Sequence, residues 1–541
     1  MPDSERIRYD LLNEPWIPCE RPDGSRVLVG IEEALVEAHT FAALHDESPL
    51  VTATLHRLLL AILQRVFLPR TMEDWIALWE APSFDAARVR AYLTTWNDGF
   101  DLFHPDRPFL QVANLADVLH KERGKDSEAT EAWRLAMECS SHSNATQLFE
   151  PLPRQPALSP ARAAVALLGF LAFTPGGRIQ NETESWDAAS LRGGAIALVR
   201  GETLHRTLLL NLLWQRDRTS ADVPPWERTE PAQRRTRAPD GFVDQLVWQA
   251  RRVLLVGEKN EADEVCVRDV VTAAGEQFDV ERPDPMFAYA IRDPKKPPMA
   301  ARIDRDRSGW RDAAALFDMA TGAHDFRRPR ACDQLAELVV AGAVPRATRL
   351  RVDLLGLASN KASIRLWRED RMPLHPSLLV DGQRVATLRL ALDLAEDLGF
   401  GVNVHVLRVL AENALAPSER EAHADDISNL RNALGSMPMY WATLGRGFPF
   451  WLDELGTVDD MDAVLGDWKR MLRETARDVV RAAERHLGTG ARALQAGAKA
   501  DRALRRVLRE VLGDDPAVVA APNRIGTASS DSRTSEGASH E

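Results

Sequence analysis

The sequence predicts an α+β protein, in which a large mixed α/β N-terminal domain is followed by a C-terminal four-helix bundle. Near the N-terminus, apolar and polar residues alternate on either side of a Pro-Asp-Gly turn within 7–30, which indicates two short strands. Leucine- and alanine-rich runs at 49–68 and 161–173 have helical spacing and few polar residues, so both indicate buried helices. From Gln383 onward, helical periodicity repeats between turns that contain Gly or Pro, which is typical of a helical bundle.

The change in sequence character also predicts the domain boundaries. We expect the mixed domain at 1–380 and the bundle at 381–515. Residues 516–541 are low in apolar side chains and are expected to form a disordered tail.

The remaining elements of the mixed domain follow from turn residues and short apolar runs. Residues 101–112 form a Pro-punctuated aromatic loop, and 121–160 is expected to be mostly loop. Residues 191–214 indicate a glycine turn, a short strand and a helix. Between 241 and 355, the clear strand patterns are Val265–Val271 and Leu350–Leu355.

Composition excludes several classes of protein. With 541 residues, 45% of them hydrophobic, the chain can bury several cores and is neither disordered nor fibrous. Its N-terminus is charged where a signal peptide is apolar, and no apolar run approaches the roughly 18 residues of a membrane span. We expect a cytoplasmic protein without a cofactor. The cysteines are far apart and form no C-x-x-C pair, which argues against a zinc site or a disulfide framework: Cys19, Cys139, Cys266 and Cys332.

Charge is segregated along the chain. The formal net charge of -12 argues against a protein that coats nucleic acid with a basic field on all sides. Residues 461–513 nevertheless contain twelve Lys and Arg against seven Asp and Glu, a local balance of +5.

The penultimate predicted helix carries a regular row of arginines. Its expected core stripe contains Leu465, Trp468, Leu472, Thr475, Val479 and Ala483. Another face repeats a basic residue every four positions: Arg473, Arg477, Arg481 and Arg485. Two interpretations remain open, an ordinary solvated face and a track for nucleic-acid phosphates.

Motifs for catalysis are not found in the sequence. It contains no phosphate-binding glycine loop, dinucleotide fingerprint, H-E-x-x-H helix or G-x-S-x-G elbow. His45-Asp46 is an isolated pair, and His104 lies in the aromatic loop, so both are interpreted as packing or helix-start residues. Two alternatives to a binding function remain: a nuclease with scattered carboxylates, and a protein-only scaffold whose arginine row docks an acidic partner helix.

Six blocks in a fixed order resemble one known family, the CasA family, the large subunit of the type I-E CRISPR Cascade surveillance complex. The resemblance spans Leu11 to about Leu512. The blocks are LLNEPWIPCERPDGSRV, HPDRPFLQV, LRGGAIALVRGETLHRTLLLNLL, GFVDQLVWQ, GLASNKASIRLWRED and the terminal helical bundle.

The resemblance implies a non-catalytic subunit of an RNA-guided complex. Such a subunit inspects double-stranded DNA for the short protospacer-adjacent motif (PAM) and begins strand separation, while the guide RNA reads the sequence. Its implied partners are target DNA, the Cascade subunits that carry the CRISPR RNA, and a separate helicase-nuclease that lands on it.

The family's wedge loop, which enters the duplex next to the PAM, matches GLASNKASIRLWRED. The resemblance places Asn360, Lys361, Ala362 and Ser363 at its tip. Lys361 stands where the family often has glutamine. A lysine can hold a phosphate or groove acceptor but cannot stack like a planar amide, so we expect it to clamp DNA.

A glycine-bearing loop is the second DNA contact that the resemblance implies, and it maps to Gly176 and Gly177. A backbone without Cβ can approach the floor of the minor groove. Because the minor groove distinguishes base pairs poorly, relaxed PAM choice is expected. Lys259, Lys295 and Lys296 are candidates for a further minor-groove lysine, with no motif to choose among them.

The resemblance assigns two further regions. The loop at Cys139 to Pro153 would face the guide end of the complex, with Phe149 as its aromatic anchor. The bundle would lie along DNA, which gives the arginine row from Arg473 to Arg485 a phosphate-binding role. Some family members carry a cysteine cluster in the middle region, where this chain has only Cys266, so no zinc site is expected.

Overall fold

The computed structural model of the chain combines helices with small β-sheets. It describes residues 6–124, 126–137, 157–179, 181–279, 284–290, 299–304, 307–317, 326–360, 363–415 and 424–514. Several predictions fall outside these residues: Phe149 and its loop, Lys361, Ala362, Lys295, Lys296 and the tail at 516–541.

The chain divides into two compact units. One consists of residues 1–389 and 448–464, and the other of residues 390–447 and 465–541. All described strands belong to the first unit, while the described part of the second is helical. This arrangement confirms the predicted fold class, a mixed α/β region with a helical C-terminal region.

Ten helices are described before residue 382. They are α1 (Ile31–Val36), α2 (Pro49–Val66), α3 (Met72–Glu80), α4 (Ala86–Thr95), α5 (Leu115–Arg123), α6 (Pro160–Phe173), α7 (Leu204–Asn211), α8 (Phe242–Leu246), α9 (Ala314–Phe317) and α10 (Arg330–Val340).

Helix α2 is the centre of the first unit. Sixteen of its eighteen residues are buried, and it packs against α6, so both predicted core helices are confirmed. Its buried polar residue Arg57 donates to the carbonyls of Gln245 and Leu246, at 2.6 and 3.1 Å, and lies 2.9 Å from the carboxylate of Asp284. These contacts compensate the burial of a charge that would otherwise be costly.

The described strands form six small sheets. In chain order they are β1 (Ile17–Glu20), β2 (Arg26–Val29), β3 (Ala43–Leu44), β4 (Thr130–Glu131), β5 (Gly177–Arg178), β6 (Ser185–Trp186), β7 (Ile196–Arg200), β8 (Arg235–Arg237), β9 (Arg251–Lys259), β10 (Val265–Ala274), β11 (Glu276–Phe278), β12 (Tyr289–Ala290), β13 (Met299–Ala300), β14 (Phe326–Arg327), β15 (Leu350–Asn360) and β16 (Ser363–Leu374). The sheet orders are β2-β1-β3, β4-β10-β9, β13-β12-β14, β16-β15-β7, β5-β6 and the parallel pair β8-β11.

The first predicted hairpin is confirmed. β1 and β2 pair antiparallel around a turn in which Gly24 has φ 81°, a conformation that favours glycine. The predicted strand and helix that follow Gly193 and Gly194 are β7 and α7. Strand β9 was not predicted from the sequence.

The second unit is built from long helices. The C-terminal elements are α11 (Gly382–Gly401), a π-helical segment (Val402–Leu407), α12 (Arg408–Ala414), α13 (Ala424–Ala433), α14 (Ser436–Thr457), α15 (Met461–Leu487) and α16 (Ala491–Leu512).

Buried aromatic side chains hold the helices of this unit together. The indole of Trp468 donates to the carbonyl of Ala391 at 2.8 Å, and the hydroxyl of Tyr440 donates to the carbonyl of Ala395 at 2.9 Å. The predicted core stripe of α15 is buried except at Leu465, which is half-buried. No helix in the described part of the chain is both long enough and apolar enough to span a membrane.

Candidate nucleic-acid interface

The segment that resembles the wedge loop forms the end of a long β-hairpin. β15 and β16 pair antiparallel along their length, and the last pair joins Asn360 to Ser363. Lys361 and Ala362 connect the two strands and lie outside the described residues. The predicted strand end at Leu355 is wrong, because β15 continues five residues further.

The small residues of β15, Gly356 and Ala358, lie where another segment of the chain packs against the strand. They do not mark the end of the strand. A Cβ on Gly356 would lie 3.1 Å from the side chain of Ile303 and 3.2 Å from the carbonyl oxygen of Gly194. Buried Ala358 packs in one cluster with Ile303 and Ala195. Small residues therefore fit where this layer crosses the strand closely.

A β-bulge separates the tip of the hairpin from its base. The register pairs Ala358 with Leu366 but Ser359 with Ile364, so Arg365 is the extra residue on β16. A bulge bends the strand and increases its local twist. The tip therefore has a different local geometry from the long ladder below it.

A buried ion pair fixes the base of the hairpin. Asp353 of β15 is 1% exposed, and its carboxylate lies 3.0 Å from Arg200 of β7 and 3.2 Å from Arg351. Burial raises the pKa of Asp353, while Arg200 and then Arg351 act to lower it. Strands β7 and β15 are thus joined by a side-chain contact as well as by their ladder.

The same arginine connects the sheet to the core helix α2. Nε2 of His56 lies 2.8 Å from the guanidinium of Arg200, and Nδ1 lies 2.7 Å from the carbonyl oxygen of Thr52. Since Nε2 faces a donor and Nδ1 faces an acceptor, the neutral ring with its proton on Nδ1 satisfies both contacts. Complete burial, followed by the charge of Arg200, lowers the pKa of His56 to about 3.

The loop that the resemblance maps to Gly176 and Gly177, which we call the glycine turn, lies directly against a neighbouring backbone segment. A Cβ on Gly176 would lie 2.8 Å from the amide nitrogen of Ala188 and 3.3 Å from the carbonyl oxygen of Trp186. Gly177 has φ 129°, in the region that favours glycine, and no other group of the described residues lies within 4 Å of its Cβ position. One glycine allows close backbone packing, and the other leaves open space in front of the turn.

One short segment links the glycine turn to the hairpin. The amide of Ala189 donates to the carbonyl of Thr174 at 3.0 Å, just before the glycine pair. A 3₁₀ turn, Ser190–Gly193, follows and leads to Gly194, whose carbonyl oxygen packs against Gly356 of β15. Both elements that resemble DNA contacts of the family are therefore attached to residues 189–194.

The arginines of the Pro-rich excursion at 217–240 make contacts within the protein. The Arg234 guanidinium lies 5.2 Å from the ring centroid of Trp186, which follows the glycine turn. Arg235 and Arg237 contact the buried carboxylate of Glu276 at 2.8 and 2.5 Å. This cluster holds the excursion against β11 and the glycine-turn segment.

The structure corrects one member of the predicted arginine row. Arg473 is buried, and its guanidinium donates to the carbonyls of Leu512, Gly513 and Asp514 at 3.1, 3.3 and 3.3 Å. Helix C-termini leave carbonyls without intrahelical partners, and an arginine can satisfy them. Arg473 therefore closes the end of α16 and does not share an exposed face with the rest of the row.

The other three arginines of the row differ in exposure. Arg477 is half-buried and has partners within the protein. Arg481 is 64% exposed at its side chain and lies 3.6 Å from Asp478, while Arg485 is exposed in the last turn of α15. The exposed part of the row is thus limited to its C-terminal end.

A second basic row was not identified from the sequence. Helix α16 buries one face and exposes on the opposite face five residues at spacings of seven, three, four and three: Arg492, Lys499, Arg502, Arg506 and Arg509. We call these five residues the α16 basic stripe. Its spacing along the sequence is the signal that could have revealed it.

The described residues contain no group of three or more His, Cys, Asp or Glu side chains that could hold a metal ion. Cys19, Cys266 and Cys332 are free and buried. Burial raises the pKa of the Cys19 and Cys332 thiols to about 12, so they are protonated at neutral pH.

Comparison with known proteins identifies the family. The sequence profile described as CRISPR-associated protein Cse1 matches residues 10–479. CRISPR-associated protein CasA/Cse1 from Thermus thermophilus is 34% identical over 523 residues, covering 94% of this chain and 98% of that protein.

Solved structures have the same fold. The crystal structure of Thermus thermophilus CasA matches with a TM-score of 0.77 and 31% identity, covering 93% of this chain and 100% of that one. A chain of a CRISPR RNA-guided surveillance complex matches with a TM-score of 0.71 and 19% identity, covering 92% and 99% of the two chains. The chain therefore belongs to the Cse1 (CasA) family of CRISPR-associated proteins.

Proposed function

We propose that the chain is the Cse1 subunit of an RNA-guided CRISPR surveillance complex, where it recognises the PAM in double-stranded DNA and begins duplex opening. The observation that carries the proposal is the β15–β16 hairpin, whose two-residue connection coincides with the wedge-loop match. Strands of eleven and twelve residues give the connection a firm base. A loop that separates base pairs needs rigid support, because pairing and stacking of the bases oppose its entry into the duplex.

Lys361 is the proposed clamp at this connection. Unstacking the first base steps costs about a few kcal/mol. A charge-assisted contact to phosphate contributes about 1.5–3 kcal/mol, so one lysine together with guide pairing can offset that cost. Asn360 and Ala362 complete the proposed wedge.

Gly176 and Gly177 are proposed to face the minor groove. Two features support this assignment: the open space at the Cβ position of Gly177, and the absence of any side chain on either residue. Because backbone amides carry little information about base identity, we expect tolerance of several PAM sequences.

Exposed basic residues of the C-terminal helices are proposed to follow the DNA backbone. The proposal includes Arg481, Arg485 and the α16 basic stripe, with Arg477 as a partly accessible member. Arg473 is excluded because its donors are used inside the protein. For about four to six engaged phosphates, the log-log salt slope for duplex binding should be about -4 to -5.

The remaining roles are proposals from family membership. Phe149 is proposed to anchor the subunit at the guide end of the complex, and the helicase-nuclease is proposed to land on this subunit. We also propose that the chain itself is non-catalytic. Cleavage of DNA by the purified chain alone in Mg²⁺ would contradict that part and favour the nuclease alternative.

Equilibrium binding tests the proposed function directly. The guide-loaded complex is titrated with target duplexes that carry permissive or scrambled PAMs, and opening is followed by a fluorescent base next to the PAM. We expect Lys361→Ala to weaken binding of the permissive duplex about 10-fold and to reduce opening, as expected for loss of about 1.5 kcal/mol.

Lys121→Ala is the matched control, because Lys121 is an exposed lysine on α5, outside the hairpin. If scrambling the PAM leaves wild-type binding unchanged, the sensing role is wrong and a protein-only scaffold is favoured. If wild type discriminates but both lysine variants behave like it, the clamp role of Lys361 is wrong.

A further inference from the structure

We propose that buried Arg251 is a positioning residue for PAM discrimination, because it sets the geometry of the glycine turn from beneath. The inference rests on the proposed function of Gly176 and Gly177. It adds a residue outside the matched blocks, at the start of strand β9.

The contacts of Arg251 join the two backbone segments that form the turn. One guanidinium nitrogen, Nη2, donates to the carbonyl of Pro175 at 2.9 Å and to the carbonyl of Asp187 at 2.9 Å. The other, Nη1, donates to the carbonyl of Ala250 at 2.8 Å. Pro175 precedes the glycine pair, and Asp187 belongs to the segment on which Gly176 packs.

The turn needs such a support because its own ladder is very short. β5 and β6 pair at only two positions, Gly177 with Trp186 and Arg178 with Ser185. Isolated two-stranded ladders of this kind have little stability of their own. The close approach of Gly176 to Ala188 depends on keeping the two segments together, and Arg251 spans them with a single nitrogen.

Arg251 is itself held in place. Its side chain is 1% exposed, and the Cβ position of Gly275 lies 2.7 Å from the Arg251 amide nitrogen and carbonyl carbon. Only a glycine at 275 therefore allows the two backbone segments to approach this closely. Burial lowers the pKa of Arg251 to about 10, partly opposed by the carboxylate of Asp187, so the side chain remains charged at neutral pH.

A buried, charged arginine whose described hydrogen bonds all go to backbone carbonyls is unusual as a stabilising device. Its desolvation is only partly compensated by neutral acceptors. The geometry it imposes is nevertheless specific, because one donor group fixes two carbonyls at the same distance. We infer that this residue specifies the shape of the turn.

A double-mutant cycle in the assembled complex tests the inference. The quantity measured is the ratio of Kd values for scrambled and permissive PAM duplexes, in wild type, Arg251→Met, Gly176→Ala and the double variant. We expect each single variant to reduce the ratio at least 5-fold. The double variant should reduce it no further, because both changes disturb the same turn.

Arg384→Met is the matched control. Arg384 is also a buried arginine that donates to two backbone carbonyls, those of Leu455 and Val458 at 2.5 and 2.6 Å; unlike Arg251, it also donates to the carboxylates of Asp381 and Asp459. None of its described contacts is with the glycine turn, so its loss should lower thermal stability and leave the PAM ratio unchanged. Arg251→Gln is measured in parallel, because it retains a polar but shorter side chain.

Each outcome decides the question. Wild type that fails to discriminate would overturn the proposed function itself. If the Arg251 variant that enters the complex keeps the wild-type ratio of Kd values, the positioning role of Arg251 is wrong. The role is also wrong if the effects of Arg251→Met and Gly176→Ala on this ratio multiply in the double variant. Failure of both Arg251 variants to enter the complex, while Arg384→Met enters it, would assign Arg251 to folding alone and also overturn the proposal.

Discussion

The hairpin base and the α16 basic stripe place charged residues in opposite settings. At the hairpin base, Asp353 and Arg200 are 1% and 5% exposed and contact each other at 3.0 Å. On the stripe, Arg506 is 62% exposed at its side chain and lies 3.9 Å from Glu510. A buried charge depends strongly on its partner, whereas an exposed one is screened by water and salt.

Under the proposed function, this difference separates two tasks that a DNA-sensing subunit must combine. A wedge and a glycine turn need fixed shape, which buried polar contacts can specify. A backbone track needs only positive charge at suitable spacing, which exposed side chains supply with little effect on folding. Mutations in the first region should therefore change stability and geometry, and mutations in the second should change salt dependence.

The largest expected effect comes from breaking the buried pair. Asp353→Ala leaves Arg200 buried without its carboxylate, so we expect the free energy of unfolding of the first unit to fall by about 3–5 kcal/mol. Chemical denaturation followed by tryptophan fluorescence measures the change. Asp478→Ala, which removes an exposed partner of Arg481, should lower the free energy of unfolding by less than about 0.5 kcal/mol. Equal losses in the two variants would contradict the contrast between the regions.

A pH dependence is the second expected effect, and it comes from His56. Its folded pKa of about 3 lies below its value near 6.5 in the unfolded chain. Below about pH 6.5, His56 binds a proton in the unfolded state but not in the folded state. The free energy of unfolding therefore falls by up to about 1.4 kcal/mol per pH unit as pH decreases towards 3.

Comparison of wild type with His56→Gln isolates this contribution. Unfolding midpoints are measured between pH 7 and 5, where the wild type should lose more stability than the variant. His205, whose pKa burial lowers to about 4, remains in both proteins and contributes equally. Parallel curves for the two proteins would show that His56 does not stay neutral in the folded state.

The smallest effect on stability, and the largest on salt dependence, is expected on the α16 basic stripe. Arg502→Ala combined with Arg506→Ala should reduce the magnitude of the log-log salt slope of DNA binding by about 2. Thermal stability should change little, because both side chains are exposed. Arg470→Ala is the control, since Arg470 is an exposed arginine on α15 that belongs to neither basic row. An unchanged slope in the double variant would remove the stripe from the DNA track.

Elements with strong local signals could be predicted from the sequence. The turn glycine Gly24 and the Leu-rich helix α2 both match the structure, because each depends on residues close together in the chain. For the hairpin, the strand pattern predicted only the first part of β15, Leu350–Leu355. Gly356 and Ala358 are small because of Ile303 and Gly194, which are distant in sequence and could not be anticipated.

Buried arginines account for two other misses. Strand β9 begins with Arg251 and Arg252, which are 1% and 2% exposed, and this pair made a buried strand look polar in the sequence. Arg473 fits the four-residue spacing of a basic face, yet it caps the last helix. In each case tertiary acceptors decided the environment of the arginine, and spacing along the chain carries no information about such acceptors.

The β-bulge between the base and the tip of this hairpin lets the tip vary independently of the base. A one-residue change in a regular strand would turn every following side chain to the opposite face. Here the unpaired position of Arg365 already absorbs one residue, above the ladder that Asp353 and Gly356 hold in place. An insertion or deletion at this point can re-aim the tip without moving the anchored strands. The hairpin can therefore acquire a new tip while the rest of the fold is inherited unchanged. Under the proposed function, a new tip would also change the preference for DNA.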